Sequence, residues 1–306
     1  MRGPTLGRIA GFSVLIFLAA FLAGCAAVEQ QIGTLTGGKV SARDVRAVAK
    51  TTKALRNSFA DITEEEEYYI GRAVAAMILS RYPALKNEAL TRYVNEVGAA
   101  VVAYSDRPET FAGYHFLVLD TQEVNAMAAP GGFIFVTRGL LRLCKDEEML
   151  GSILAHEVGH VAAKHGLQSI KKSRLIDAFR IIGEEAAQRY APERLAQLTD
   201  IFERVLGDIA EKLIERGYDR KYEYEADRLS VRFAARTGYN PQGLLDFLKT
   251  LGAQEPAGEK TGWFRTHPSA AERLSRAEEE VKGLSAIPPS VSARTQRFQM
   301  AMRGLR

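Results

Sequence analysis

Between residues 61 and 285 the chain alternates between helical and extended apolar patterns. Asp61-Ile62-Thr63 is followed by Glu64 to Glu67, after which Ile70, Val74, Met77 and Ile78 recur at helical spacing. A polar capping residue ahead of acidic side chains suits the positive end of a helix dipole, so the acidic run predicts a helix start and not a metal site. A second helix is predicted over 87–103, with Leu90, Val94, Val97 and Val101 on one face. The texture changes at Tyr114. Residues 114–119 read as a strand, and 124–129 and 132–137 read as strands joined by a tight turn at Pro130-Gly131-Gly132. From Leu140 the chain is helical. Asp146-Glu147-Glu148 opens a helix that the pattern carries to about His165, with Gly166 as its stop. Residues 167–217 are helical and charged, with breaks near Gly183, Pro192 and Gly217. Further helices are predicted over 219–236, 241–251 and from Ser269 to about Lys282, with 252–262 as a loop. Pro288-Pro289 closes the domain, and the tail over 286–306, with Arg294, Arg297, Arg303 and Arg306 and no acid, is expected to be mobile. The implied class is α+β, mainly helical, with a small mixed sheet.

The N-terminus stands apart. Arg2 and Arg8 precede an apolar stretch from Ile9 to Ala23, too short for a comfortable membrane span and typical of a secretory signal. Leu22-Ala23-Gly24-Cys25 resembles the bacterial lipobox, which makes 1–24 a lipoprotein signal peptide and Cys25 the lipidated first residue of the mature chain. Loss of Arg2 and Arg8 takes the formal charge from +4 to +2. Several acyl chains on one residue give stable anchoring. Ala26 in place of an Asp favours, by resemblance to Gram-negative lipoproteins, a periplasm-facing position on the outer membrane. Residues 25–60 then form the anchor and linker, including a basic stretch over 39–58 that carries Lys39, Arg43, Arg46, Lys50, Lys53 and Arg56 against Asp44. The second cysteine, Cys144, is expected to be a small buried residue, so no intramolecular disulfide is expected.

Composition narrows the classes without choosing among them. With 46% hydrophobic and 25% charged residues the 306-residue chain can bury a substantial core. A net charge of +4 is too weak to argue for nucleic acid, and no nucleic-acid-binding signature is present.

The chemistry enters at His156-Glu157-Val158-Gly159-His160, an HExxH sequence on a predicted helix. Residues i and i+4 lie one above the other on a helix face, so the two imidazoles can converge on one Zn²⁺. Glu157 is turned about 100° from His156, out of ligand range but within reach of a water at the metal, where a general base belongs. A catalytic zinc needs a third protein ligand and an open position. His165, five residues past His160, is rotated about 140° away on a continuous helix and reads as structural. Downstream, Glu223 and Asp227 share a helix face at i and i+4, with Glu225 between them. One carboxylate can bind the metal while another accepts a hydrogen bond from a ligand histidine. Spacing alone leaves the choice between Glu223 and Glu225 open.

Together, HEVGH and the Glu223-Tyr-Glu-Ala-Asp227 run resemble the gluzincin metallopeptidase family of HtpX-like and CAAX-prenyl-protease-like enzymes, and within it the periplasmic BepA- and LoiP-like lipoprotein proteases. Two further segments match in order: Asn125-Ala126 through Pro130-Gly131-Gly132, and Thr266-His267-Pro268 followed by Arg273. The resemblance covers roughly 61–283. It implies a zincin-type metallopeptidase domain over 61–285 and one Zn²⁺ per chain held by His156, His160 and Glu223. It also implies that Asp227 and Arg220 stand behind the ligands, and that an extended substrate lies along a strand containing Asn125, Ala126, Gly131 and Gly132. It suggests His267 or Arg273 as a donor to the oxyanion, or His267 as a cover over the metal. The expected activity is endopeptidase cleavage of unfolded or misassembled envelope proteins. A chaperone-like outer-membrane assembly factor with latent protease activity is the alternative, and envelope assembly machinery the possible partner. Multiple apolar spans, as in the HtpX-like members, and helical repeats after Pro289, as in the BepA-like ones, are not expected here. Residues 167–217 are long for a connection and are expected to gate the cleft.

Overall fold

In the computed structural model of the protein, residues 62–169, 206–207, 209–254, 261–267 and 269–305 are described. The expected signal peptide, the lipidation site Cys25, the basic stretch 39–58 and most of the gating segment 167–217 lie outside these residues.

The first helix, α1, spans Glu64–Arg81 and starts where the acidic run predicts. The Thr63 hydroxyl accepts from the Glu66 N–H at 3.2 Å, and the Glu66 carboxylate accepts from the Thr63 N–H at 2.7 Å. Two N–H groups that the first helical turn cannot pair are thereby satisfied. Helix α2, Glu88–Ala103, is capped by the Asn87 side chain. Strands β1 (His115–Leu119), β2 (Ala126–Ala129) and β3 (Phe133–Thr137) form one sheet in the order β1-β3-β2, with β1 parallel and β2 antiparallel to β3. Side chains alternate across a sheet. Leu119, Met127 and Phe135 accordingly pack with Ile70, Val74 and Ile78 of α1, while Phe116, Val118, Ala126 and Val136 join Val94, Val97 and Val101 of α2.

Beyond β3 lie α3 (Arg138–Leu143), α4 (Glu147–Ala162), a single turn α5 (His165–Gln168), a wide turn at Lys212–Arg216, and α6 (Arg220–Thr237). They are followed by α7 (Gln242–Gly252), the short α8 (Trp263–Thr266), α9 (Ala270–Lys282) and α10 (Ser292–Met302). Helix α4 carries HExxH and is the centre of the domain; every residue from Glu147 to Val161 is buried. Gly159 lets α6 approach closely, because a Cβ there would lie 3.2 Å from that of Leu229.

Two expectations are corrected. Helix α4 ends at Ala162 and not near His165, because Lys164 takes a left-handed conformation (φ 56°) that breaks the helix and redirects the next turn. The tail expected to be mobile is helix α10, with Phe298, Met302 and Leu305 in the main core. Its arginines have acids to meet after all, on α4. Arg297 donates from Nε to the buried Glu147 at 2.7 Å, and Arg294 donates to Glu148 at 3.2 Å. Glu147 also accepts from the hydroxyls of Tyr93 (2.9 Å) and Tyr239 (3.0 Å). A buried carboxylate is tolerable only with such partners. The partner lies some 150 positions away in sequence, which is why local charge counting missed it.

Candidate active site

Helices α4, α6 and the segment after α8 converge on one buried point. His156, His160, Glu223 and His267 each bring a ligand-type atom to it, all lying within 4.8 Å of one another. The Nε2 atoms of His156 and His160 are 3.1 Å apart, and the Glu223 carboxylate reaches them at 3.6 and 3.5 Å. Glu223 is fully buried, and neither of its oxygens has a hydrogen-bond partner among the described residues. Two unpaired carboxylate oxygens in a dry interior are costly unless a cation satisfies them. The donor set of imidazole nitrogens and one carboxylate oxygen suits a borderline dication of the Zn²⁺ type. Glu225, the alternative left open by spacing, is outside the cluster and partly exposed, and its Oε2 lies 3.3 Å from His165.

Each histidine is oriented from behind. Nδ1 of His156 lies 3.0 Å from Oδ1 of Asp227. Arg273, fully buried, donates to both Asp227 oxygens at 2.8 and 2.6 Å, which holds the Asp227 carboxyl down at about 2 against the upward push of burial. Nδ1 of His160 meets Nδ1 of His165 at 3.0 Å. Because α4 breaks at Lys164, His165 returns to the back of His160, a contact that a continuous helix would forbid. Nδ1 of His267 pairs with the Thr266 hydroxyl at 2.9 Å, and its ring stacks on Trp263 at 3.8 Å with planes 6° apart.

Charge follows from this wiring. Burial and Arg273 push the His156 imidazole down, but the hydrogen bond with Asp227 and the facing Glu223 carboxylate prevail and lift it to about 9. Burial, then the neighbouring His156, His165 and His267, keep His160 well below the ordinary value and so neutral. Burial lifts the Glu157 carboxyl to about 7, with Glu223 adding to the rise and His156 and Arg273 opposing it. Oε1 of Glu157 is buried and without a hydrogen-bond partner among the described residues.

Several other sequence expectations are relocated. Arg220 is exposed and pairs with Glu272 at 3.4 Å; Arg273 takes the place behind the carboxylates that Arg220 was expected to fill. Of the four residues expected along a substrate strand, Ala126 is in β2, whereas Gly131 and Gly132 form the turn to β3. Asn125 precedes β2 and offers its carbonyl to Thr137 of β3 at 3.0 Å, so its backbone faces inward. Sequence reasoning missed Tyr218 and Trp263. Both are reached through loops whose path no periodicity encodes.

This arrangement defines a metallopeptidase-type centre of the HExxH kind, with a distant glutamate brought in on a second helix. The chain belongs to peptidase family M48, whose model matches residues 88–281. It is 25% identical over 241 residues to the beta-barrel assembly-enhancing protease of Escherichia coli (strain K12), covering 77% of this chain and 47% of that protein. Metalloprotease YcaL of the same organism is 32% identical over 167 residues, which is 55% of this chain and 62% of YcaL. The mitochondrial metalloendopeptidase OMA1 of Schizosaccharomyces pombe is 26% identical over 194 residues, or 62% and 52% of the two chains. The chain spans about half the length of the assembly-enhancing proteases it matches.

Proposed function

We propose that the protein is a zinc-dependent endopeptidase acting on unfolded or misassembled polypeptides of the bacterial envelope. The observation that carries this reading is the buried His156–His160–Glu223 cluster, with Glu157 next to His156 on the same helix and its Oε1 without a hydrogen-bond partner among the described residues. His156, His160 and Glu223 would hold Zn²⁺, which would supply Lewis-acid chemistry to a scissile carbonyl and to water. Glu157 would act as the base that takes a proton from water and passes it to the leaving amine. Asp227, anchored by Arg273, keeps the His156 ring with Nε2 toward the cluster, and His165 does the same for His160. Strand β2, at the sheet edge beside α4, offers its backbone to an extended substrate, an attachment that reads no side-chain sequence.

His267 supports a second state of the same centre. Its Nε2 lies 3.7 Å from Glu223, so the side chain stands within the cluster and would compete with a substrate carbonyl or water for a bound metal. That favours a latent enzyme, opened by movement of the segment after α8, and it keeps the assembly-factor reading alive beside the protease reading. Anchoring through Cys25, a periplasm-facing outer-membrane location and contact with envelope assembly machinery belong to this proposal. The lipobox supports the anchor and location, and similarity to the beta-barrel assembly-enhancing protease supports the contact with assembly machinery. No helix among the described residues is long and apolar enough to cross a membrane.

Glu157→Gln tests the reading. The variant should retain zinc and lose cleavage of casein; cleavage at the wild-type rate would sink it.

A further inference from the structure

Antiparallel pairing fixes which backbone groups of β2 face away from β3. The Asn125 carbonyl accepts from the Thr137 N–H at 3.0 Å, so residues 125, 127 and 129 turn inward. By the alternation of an antiparallel ladder, Val124, Ala126 and Ala128 direct their N–H and C=O groups outward. An added peptide strand would pair with this outward row.

The chain itself occupies two positions of that row. Trp263 donates its N–H to the Val124 carbonyl at 2.8 Å. The Tyr218 hydroxyl donates to the Ala128 carbonyl at 3.1 Å. Tyr218 packs against the core between the sheet and α1, and it also reaches helix α4. Its ring stacks on the His160 imidazole, with centroids 4.3 Å apart and planes 19° apart, which aims the hydroxyl across the site. Gly217 sets its approach: at φ 72° it lies so close to Thr266 that a Cβ would fall 1.5 Å from the Thr266 carbonyl oxygen. Arg265 donates to the Ile214 carbonyl at 3.1 Å, joining the same two segments again. Tyr218 is partly buried.

We propose that the Tyr218 hydroxyl is a built-in competitor for substrate, standing on the Ala128 carbonyl where the backbone N–H of an extended peptide must bind. Entry of the peptide displaces the hydroxyl, while the ring stays on His160. Tyr218 is therefore a positioning residue that sets how readily a chain enters, separate from the cover supplied by His267. Because Trp263 closes the row at Val124, pairing is confined to Ala126 and Ala128. The substrate class is an extended polypeptide gripped over a short stretch, not a long added strand.

The inference rests on the peptidase reading, and the test separates the two. Binding of a fluorescent unfolded casein peptide is measured by anisotropy with zinc-loaded Glu157→Gln, alone and combined with Tyr218→Phe, which keeps the ring and removes the hydroxyl. The double variant should bind about fivefold more tightly, the change that one net hydrogen bond of about 1 kcal/mol gives. In the active background, Tyr218→Phe should lower KM by a similar factor and leave kcat and zinc content unchanged. A purely structural role would move zinc content or kcat, and Tyr218→Ala, which also removes the stack, should show that pattern. Unchanged or weaker peptide binding in the double variant, or a fall in kcat at constant KM, overturns the proposal and leaves the peptidase reading standing. A tighter double variant with no cleavage by either the wild type or His267→Ala would sink the peptidase reading alone.

Discussion

Asp227 accepts from Nδ1 of His156 at 3.0 Å while both of its oxygens are held by Arg273. One carboxylate thus fixes the direction of a candidate ligand and neutralises a buried guanidinium at the same time. Asp227→Asn removes the charge and keeps the shape. Zinc affinity should fall by about 10- to 100-fold, as when the partner behind a ligand histidine is lost. Stability should drop by about 3 kcal/mol, because Arg273 keeps its buried charge without a counter-ion. Chelator competition and denaturant titration measure the two effects.

His165 should behave as a support and not as a ligand. It touches His160 through Nδ1 at 3.0 Å and leans on Glu225 through Nε2 at 3.3 Å. His165→Ala should weaken zinc binding about tenfold without abolishing it. Complete loss of zinc, with the fold intact by circular dichroism, would make it a ligand.

His267→Ala should open the centre. Casein cleavage should start several-fold faster than in the wild type, with zinc content unchanged. A slower rate at full zinc loading would instead assign His267 to stabilising the transition state.

The C-terminal helix should be a stability element of the active-site helix. Arg297→Ala leaves Glu147 buried with two tyrosine hydroxyls and no cation. A loss of about 2–3 kcal/mol follows, below the full cost of breaking a buried pair because Arg297 itself is half exposed. Thermal unfolding with zinc held constant checks it.

The elements that position the centre were legible because their signals are local. Thr63 with Glu66, and Asn87, mark helix starts by capping, and HExxH marks α4 by its own spacing. Proximity of Glu223 to the histidines came from family resemblance, since nothing in a helical wheel separates it from Glu225. The rest was hidden for physical reasons. A continuous helix would carry His165 away from His160, and Lys164 breaks that helix with one left-handed residue. Arg273 meets Asp227 across 46 positions, and Arg297 meets Glu147 across 150, so neither charge reveals its partner by local pattern. Arg220 was placed by its neighbourhood to Glu223 along the chain, but on the helix it points to solvent and Glu272.

Zinc content per chain tests the central claim most directly. Elemental analysis of the purified protein should give about one zinc for the wild type and for Glu225→Ala, and nearly none for Glu223→Ala. Full zinc retention by Glu223→Ala, with loss in Glu225→Ala, would contradict the site as assembled from His156, His160 and Glu223.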